Sequence, residues 1–332
     1  MGGQRSFFRR ISVVTTLLAL AWVVSTGCSQ PSPSNPSKGG AKDRLKLVMI
    51  PKATQASFWN AVRKGAEQAA EELEVDLTWK GPAVDNDRAA QKEVAQRFVT
   101  GVDGLLLAPT DSIALAPTAR TAMKQGTPVM IFDSALQGKL GEEFIGYVAT
   151  DNLAAGRMGG KHVMELVGNG GKVILFRHME GQESTSAREN GALEEFRAAN
   201  ANILVEDRYT GQTAGEAQKT ALNMIDTIRQ ADGIFASNQT SSEGLLVALQ
   251  KNNLAGKVKF VGFDSSPMLV KALAAGEIDG LVVQDPVNMG HTAVSLMVDH
   301  IGGKKIEPLV STDCHLATRE NMDDPKIKPL LE

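Results

Sequence analysis

The chain alternates short apolar runs with amphipathic helical patterns from residue 45 to residue 301. Runs such as LLLAP, PVMIFD, KVILF and KFVGFD show no regular polar alternation. Both faces of such strands are expected to be buried, as in a parallel sheet. Between the runs, apolar residues recur three to four positions apart, which is typical of helices that cover a sheet. The pattern therefore predicts right-handed β-α-β units and an α/β fold.

Ten strands and nine helices follow from this pattern. The predicted strands are 45–50, 75–79, 104–108, 128–132, 145–148, 172–176, 203–205, 233–236, 259–263 and 280–283. The predicted helices are 57–73, with Ser57 as a plausible N-cap, and 89–98, 114–124, 153–167, 187–198, 215–228, 242–251, 268–275 and 287–301. Ten strands exceed what one open sheet comfortably holds, so we predict two similar lobes, each a doubly wound parallel sheet.

Charge and motif content exclude several function classes. The 35 Lys and Arg residues are balanced by 38 Asp and Glu residues, and the net charge of -3 provides no basic face for nucleic acid. The sequence contains no GxSxG, GxxxxGK[ST], HExxH or GxGxxG motif, so we predict that the protein is not an enzyme. His178, His291 and His315 lie far apart without ligand spacing, so we predict no metal and no cofactor.

The N-terminus predicts export. Arg5, Arg9 and Arg10 precede an apolar stretch at residues 11–24, and small residues then lead to Cys28. This order is that of a secretion signal, and the segment before Cys28 looks like a bacterial lipobox. We therefore expect a lipoprotein signal peptide at residues 1–28 with lipid on Cys28; an ordinary cleaved signal is the alternative. Residues 29–43 are rich in Ser, Pro and Gly and predict a disordered tether that holds the protein at a membrane.

Polar and aromatic residues follow the predicted strands, where ligands bind in doubly wound sheets. The candidate ligand-binding residues are Lys52, Phe58, Trp59, Asp133, Ser134, Arg188, Asn238, Phe263, Asp264 and Gln284. Aromatic rings suit the apolar faces of a sugar, while carboxylates, amides and a guanidinium together pair with hydroxyl groups. Two carboxylates opposite two cations leave such a pocket near neutral, which suits an uncharged ligand.

Eight segments in sequence order carry a resemblance to a known family: SFWNAVRKGAE, LLLAPTDS, PVMIFDS, VATDNLAAGR, STSARENG, IFASN, VGFDSSP and VVQDPVNMG. The chain from residue 44 to about residue 320 resembles the ribose- and allose-type class I periplasmic sugar-binding proteins of ABC transporters. The resemblance implies that Phe58 and Trp59 stack on a sugar ring and that Phe263 flanks the pocket. The side chains that it implies for bonding to hydroxyls are those of Asp133, Arg188, Asn238, Asp264 and Gln284.

Three positions depart from the ribose-type pattern. Lys52 stands where a small hydroxyl residue is usual, Ala56 replaces an Asn, and Ser134 replaces an Arg. The combination of Lys52 with Phe58 and Trp59 resembles the pattern of allose-type hexose binders more closely. The segments MIPK, WKGP and FDS are also similar to autoinducer-2 and rhamnose-type binders. A monosaccharide or similar polyol is therefore the expected ligand, with an autoinducer-2 or rhamnose-type ligand as the alternative.

The resemblance also implies an organisation and a mechanism. It implies a periplasmic-binding-protein type I fold whose hinge the chain crosses three times. The N-terminal lobe would comprise residues 44–150 and 285–312, and the C-terminal lobe residues 151–284 and 313–325. The lobes would close around the ligand and deliver it to an ABC permease, and the protein would act as a monomer in the periplasm or at the cell surface. A sugar-sensing receptor that feeds a signalling partner is a further alternative.

Overall fold

The structure is a computed structural model that describes residues 44–85 and 87–332. The predicted signal peptide, the predicted lipidation of Cys28 and the predicted tether at residues 29–43 lie outside the described residues. Within the described ranges, no helix combines the length and the apolar character that crossing a bilayer requires.

Six parallel strands form sheet one. They are β1 (Lys46–Ile50), β2 (Asp76–Trp79), β3 (Gly104–Leu107), β4 (Val129–Phe132), β5 (Gly146–Thr150) and β11 (Leu309–Thr312). Their order across the sheet is β11-β5-β4-β3-β1-β2. β1 and β3 lie side by side in the interior of the sheet, so the loops that follow them meet at one edge.

Sheet two repeats this arrangement with one exception. Its strands are β6 (Lys172–Arg177), β7 (Asn202–Tyr209), β8 (Gly233–Ala236), β9 (Lys259–Phe263), β10 (Gly280–Gln284) and β12 (Cys314–Ala317), in the order β12-β10-β9-β8-β6-β7. Every neighbouring pair is parallel except β12, which runs antiparallel to β10.

Helices cover both faces of each sheet. Those packed with sheet one are α1 (Ser57–Glu72), α2 (Arg88–Arg97), α3 (Ala116–Lys124) and α10 (Pro286–Ile301). Those grouped with sheet two are α4 (Asn152–Val167), α5 (Glu183–Ala198), α6 (Ala214–Asn223), α7 (Ile225–Ile228), α8 (Gln239–Lys251), α9 (Pro267–Ala275) and α11 (Lys328–Leu331). We call each sheet with its helices lobe one and lobe two.

Burial of the central strands on both faces explains their unbroken apolar runs. In β3, Leu106 packs into the layer of one face, whereas Leu105 and Leu107 pack into the layer of the other. In β6, Val173 and Ile174 likewise point into opposite layers. Because successive side chains of a strand point to opposite faces, a strand covered on both sides needs apolar residues at every position.

The chain passes between the lobes three times. It leaves β5 in sheet one to enter α4 in lobe two, and it leaves β10 in sheet two to enter α10 in lobe one. The third passage is the single residue between β11 in sheet one and β12 in sheet two. This architecture confirms the predicted fold class of two doubly wound lobes joined by a three-crossing hinge.

Several details differ from the sequence prediction, including the division of the predicted helix 215–228 into α6 and α7 and the additional helix α11. β11 and β12 are missing from the prediction, because each is only 4 residues long and only its last residue is buried. The prediction that Ser57 is the N-cap of α1 is wrong. Ala56 has the extended backbone of an N-cap and the helix begins at Ser57, so the cap position carries no polar side chain.

Candidate ligand-binding site between the sheets

The C-terminal edges of the parallel strands of the two sheets face each other across a cleft, and a cavity lies between them. About 400 Å³ of its space is free of protein atoms, part of it open to solvent. The side chains around it come from both lobes. They are Lys52, Ala56, Phe58, Trp59, Asp85 and Asp133 of lobe one, Gln182, Ser184, Thr185, Arg188, Asn238, Gln239, Thr240 and Asp264 of lobe two, and Gln284 at the second crossing.

Eight of the ten predicted ligand-binding residues line this cavity; Ser134 and Phe263 do not. Ser134 is fully buried, and its Oγ accepts a hydrogen bond from the backbone N–H of Ser184 at 3.1 Å. Phe263 is also fully buried and lies behind Arg188. The structure therefore places these two residues in supporting positions around the cavity.

Two aspartates occupy equivalent turns in the two lobes. Asp133 follows β4 and Asp264 follows β9, each within a Phe-Asp-Ser sequence. Both have left-handed backbone angles, with φ of 62° at Asp133 and 67° at Asp264. The backbone N–H of each donates to a neighbouring strand, to Val148 O at 3.0 Å and to Val282 O at 2.8 Å. Asp tolerates this conformation better than most residues, and such strain is commonly held at functional sites.

Lys52 forms a buried ion pair inside the cavity. Its Nζ lies 2.7 Å from Asp133 Oδ2, and the two side chains are 3% and 4% exposed. The same ammonium donates to Ser184 Oγ at 2.9 Å, across the cleft. Removing two charges from water is unfavourable, and the pair is sustained because each partner neutralises the other.

Asp264 lies at the centre of a hydrogen-bond network in lobe two. Its Oδ1 accepts from Gln284 Nε2 at 2.6 Å, and its Oδ2 accepts from the backbone N–H of Gln239 at 3.0 Å. Burial raises the pKa of Asp264, while Arg188 and these hydrogen bonds oppose the rise. Gln284 in turn accepts from Thr150 Oγ1 at 2.8 Å, which ties the carboxylate to the hinge.

Arg188 is held on three sides and still faces the cavity. Its Nε donates to Asn152 Oδ1 at 2.8 Å and one terminal nitrogen donates to Ser237 O at 3.2 Å. The guanidinium carbon lies 3.9 Å from the centre of the Phe263 ring, a cation–π contact. Close packing of α4 on α5 fixes this position, since a Cβ on Gly156 would lie 2.0 Å from Arg188 O. The remaining guanidinium N–H groups are oriented for a ligand by the fixed fork of the side chain.

The aromatic wall comes from the start of α1. Phe58 and Trp59 are 9% and 4% exposed, with ring centres 5.0 Å apart in an edge-to-face arrangement. Trp59 also packs edge-to-face on Phe132, at 6.3 Å. The rings are therefore held in place by their packing within lobe one, which suits stacking against the apolar face of a sugar.

Asn238 lines the cavity, but its side chain also has a structural role. As the N-cap of α8, its Oδ1 accepts from Ser241 N at 3.1 Å and from the hydroxyl of the same residue. Its Nδ2 donates to Thr240 Oγ1 at 3.1 Å. Its carbonyl oxygen is therefore used within the helix cap, which limits what it can offer a ligand.

Six polar residues around the cavity are absent from the sequence prediction: Asp85, Gln182, Ser184, Thr185, Gln239 and Thr240. Three of them lie within or next to the STSARENG segment, from which only Arg188 is predicted. Gln239 and Thr240 directly follow Asn238, and the same strand-end rule identifies them. Asp85 is harder to find, because β2 is an edge strand without an apolar run and its following loop is long.

The charges around the cavity are nearly balanced. Asp85, Asp133 and Asp264 face Lys52 and Arg188.

Next to the cavity, His178 is fully buried with Nε2 3.8 Å from Asp85 Oδ2. Burial, followed by the charges of Lys52 and Arg188, lowers the pKa of His178 to about 3, so its ring is neutral. Across residues 44–85 and 87–332, no group of three or more His, Cys, Asp and Glu side chains is arranged to hold a metal ion.

Comparison with known proteins gives consistent matches. Residues 47–305 match the periplasmic binding protein domain. The D-allose-binding periplasmic protein of Escherichia coli (strain K12) is 28% identical over 270 residues, which cover 80% of this chain and 87% of that protein. Two solved structures are also similar, one of an ABC transporter solute-binding protein and one of a carbohydrate transporter solute-binding protein. One, from Agrobacterium vitis with bound D-fucose, has a TM-score of 0.83 at 28% identity, covering 86% of this chain and all of that one. The other, from Agrobacterium radiobacter in complex with D-arabinose, has a TM-score of 0.83 at 28% identity, covering 88% and 100%.

Proposed function

Because this chain belongs to the periplasmic binding protein family, we propose that it binds a monosaccharide between its lobes and delivers it to the permease of an ABC importer. The observation that carries the proposal is the cavity, where side chains that pair with hydroxyl groups surround a fixed aromatic wall. Both lobes contribute to it. A ligand that contacts both lobes stabilises the closed form more than the open form, which is the requirement for ligand-driven closure.

The proposed contacts divide between the lobes. Phe58 and Trp59 of lobe one stack on the sugar ring, while Lys52 and Asp133 face its hydroxyls. The contacts from lobe two and the hinge are those of Arg188, Asn238, Asp264 and Gln284. We assign residues 44–150 and 285–312 to lobe one and residues 151–284 and 313–325 to lobe two, and extend lobe two to include α11, which packs with sheet two. No step breaks a covalent bond, so the proposed role is binding without catalysis.

The ligand class follows from the charge of the cavity and from the ligands named with related proteins. A nearly neutral cavity does not favour a strongly charged ligand, because an unpaired buried charge is highly unfavourable. D-allose, D-arabinose and D-fucose, each named with a related protein, are therefore the first sugars to test, with D-ribose from the sequence resemblance.

A thermal-unfolding screen tests the proposal directly. A sugar that binds only the folded protein at about 100 times its Kd stabilises it by about 2.7 kcal/mol. The unfolding temperature of the wild type should rise with the cognate sugar, and the Asp264→Ala variant should show a much smaller rise at the same concentration. A panel of pentoses, hexoses and polyols that leaves the unfolding temperature unchanged would contradict sugar binding.

The proposed location is the periplasm, with a lipid on Cys28 as membrane anchor. The anchor rests on the basic and apolar N-terminus and on the small residues before Cys28. Expression of the full chain with Cys28→Ala tests it: the lipidated wild type should pellet with membranes, whereas the variant should be released into the soluble fraction. Equal partition of both proteins would refute lipid anchoring and leave sugar binding untouched.

A further inference from the structure

The N-termini of α1 and α5 are built differently from those of most other helices in the described ranges. α2, α4, α6, α8, α9 and α10 are each capped by the side chain of their own N-cap residue, respectively Asp87, Asp151, Thr213, Asn238, Ser266 and Asp285. In contrast, the N-cap residues of α1 and α5 form no such hydrogen bond. These two helices occupy equivalent places, since each follows the first strand of its lobe.

The missing cap of α1 comes from lobe two. Ala56, its N-cap residue, has no side-chain acceptor. The backbone N–H of Phe58, in the second position of the helix, donates instead to Gln239 Oε1 at 3.3 Å. Gln239 is only 7% exposed and follows β8 in the opposite lobe.

The missing cap of α5 comes from lobe one. The side-chain amide of Gln182, the N-cap residue of α5, donates through Nε2 to Asp85 Oδ1 at 3.2 Å. The backbone N–H of Ser184, again in the second position of the helix, donates to Ser134 Oγ at 3.1 Å. Ser134 is fully buried. The two contacts are thus reciprocal: each lobe supplies the acceptor that the uncapped helix of the other lobe lacks.

We propose that Ser134 and Gln239 are closure residues, which cap α5 and α1 across the cleft and thereby stabilise the closed form of the protein. The inference rests on the proposed ligand-driven closure of the lobes. A side-chain cap satisfies one of the otherwise unpaired N–H groups at the start of a helix, and its acceptor is favourably placed at the positive end of the helix dipole. When the lobes separate, the backbone N–H groups of Phe58 and Ser184 lose these acceptors and bond to water instead.

Closure residues have a signature that ligand contacts lack. They act on the equilibrium between open and closed forms, so their loss weakens every sugar that requires closure by the same factor. A residue that contacts the sugar changes the ratio of affinities between sugars instead, because the sugars differ in the hydroxyl groups that they present. Removal of one cap should weaken binding about fivefold, the equivalent of about 1 kcal/mol.

Titration calorimetry on the full-length protein with D-allose, D-ribose, D-arabinose and D-fucose tests the proposal. Ser134→Ala and Gln239→Ala should each weaken every sugar that binds the wild type about fivefold, and the double variant about 25-fold if the two caps are independent. Thr213→Ala is the matched control, because Thr213 caps α6 within its own lobe. It should lower the unfolding temperature of the sugar-free protein and leave all affinities unchanged.

Hydrogen exchange in the presence of saturating sugar provides a second measurement. The amide of Ser184 should exchange faster in Ser134→Ala, with the amide of Phe58 still protected, and Gln239→Ala should give the opposite pattern. Unchanged affinities in both variants would overturn the inference, and so would altered ratios between sugars in Ser134→Ala, because Ser134, unlike Gln239, does not line the cavity. Failure of the wild type to bind any of the four sugars would instead remove the proposed function and, with it, the closure on which this inference depends.

Discussion

Replacement of Arg188 by alanine is the sharpest test of the pocket. The guanidinium is 3% exposed, and its bonds to Asn152 and Ser237 O, with the contact to Phe263, fix its plane beside the cavity. These contacts leave the outer N–H groups to donate to sugar hydroxyls. A hydrogen bond to a charged group contributes about 1.5–3 kcal/mol. The loss of one or two such bonds in a dry cleft should therefore weaken binding by about 2–4 kcal/mol, or about 30- to 900-fold.

The sugar-free protein should respond less than its affinity does. In the open form, water reaches the groups that Arg188 leaves unpaired, so the unfolding temperature should fall by only a few degrees. Arg188 also lowers the pKa of Asp264. Its removal should raise that pKa further. As the solution is acidified, residual binding by the Arg188→Ala variant should therefore begin to weaken at a higher pH than binding by the wild type.

Titration calorimetry with the cognate sugar measures the effect, and Arg188→Lys separates charge from geometry. Lysine keeps the charge but loses the planar fork, so it should restore only part of the affinity. Arg157→Ala is the control, because Arg157 pairs with Glu194 on the surface of lobe two, with both side chains 49% exposed. An affinity of Arg188→Ala within twofold of the wild type would refute the assignment of this residue to the pocket.

Three further substitutions have defined outcomes. His178→Gln should reduce the acid sensitivity of folding. The pKa of His178 is about 3 in the folded state and about 6.5 in the unfolded chain, so the unfolded state takes up a proton first as the pH falls. The free energy of unfolding therefore decreases below pH 6.5, by about 2 kcal/mol between pH 7 and pH 5. Denaturant unfolding at both pH values should show that difference shrink in the variant. Gly156→Ala should lower both stability and sugar affinity, because its Cβ would lie 2.0 Å from Arg188 O; thermal unfolding and calorimetry measure the two effects. Lys52→Met should weaken binding and destabilise the folded protein, since it leaves the Asp133 carboxylate buried without its partner at 2.7 Å; calorimetry and denaturant unfolding measure the two effects.

A matched control accompanies the glycine substitution. Gly215→Ala adds a methyl group to α6 where the nearest atom is 3.8 Å away, so it should be neutral or mildly stabilising. An unchanged pH dependence in His178→Gln, full affinity in Gly156→Ala, or normal stability and affinity in Lys52→Met would contradict the corresponding reasoning.

The strands were predictable where burial on both faces fixed their composition. β3 and β6 read as unbroken apolar runs because both faces of each sheet are covered by helices. β11 and β12 were not predictable in this way, because their position at the sheet edges leaves most of their side chains partly accessible. Local pattern carries little information about strands whose pairing partners lie far away in the chain.

The site was predictable to the extent that it follows strand ends. Asp133, Arg188 and Asp264 were identified because each stands in a segment with a distinct local sequence. The sequence did not predict the supporting roles of Ser134 and Phe263, because the direction in which each side chain points depends on tertiary packing. The contribution of Asp85 depends on a contact with Gln182 in the other lobe, and a contact between residues so far apart leaves no periodic signal in a single sequence.

The interleaving of the chain also bears on how the protein acquires its structure. β11 pairs with β5, and Thr312 meets Thr150, a residue 162 positions earlier. α10 likewise joins the first sheet only after every parallel strand of the second has been synthesised. The N-terminal half of the nascent chain therefore lacks an edge strand and a covering helix until synthesis is almost complete. Such late, long-range pairing slows folding, so an unfinished chain remains loosely structured for longer, a state compatible with passage through a narrow translocation channel.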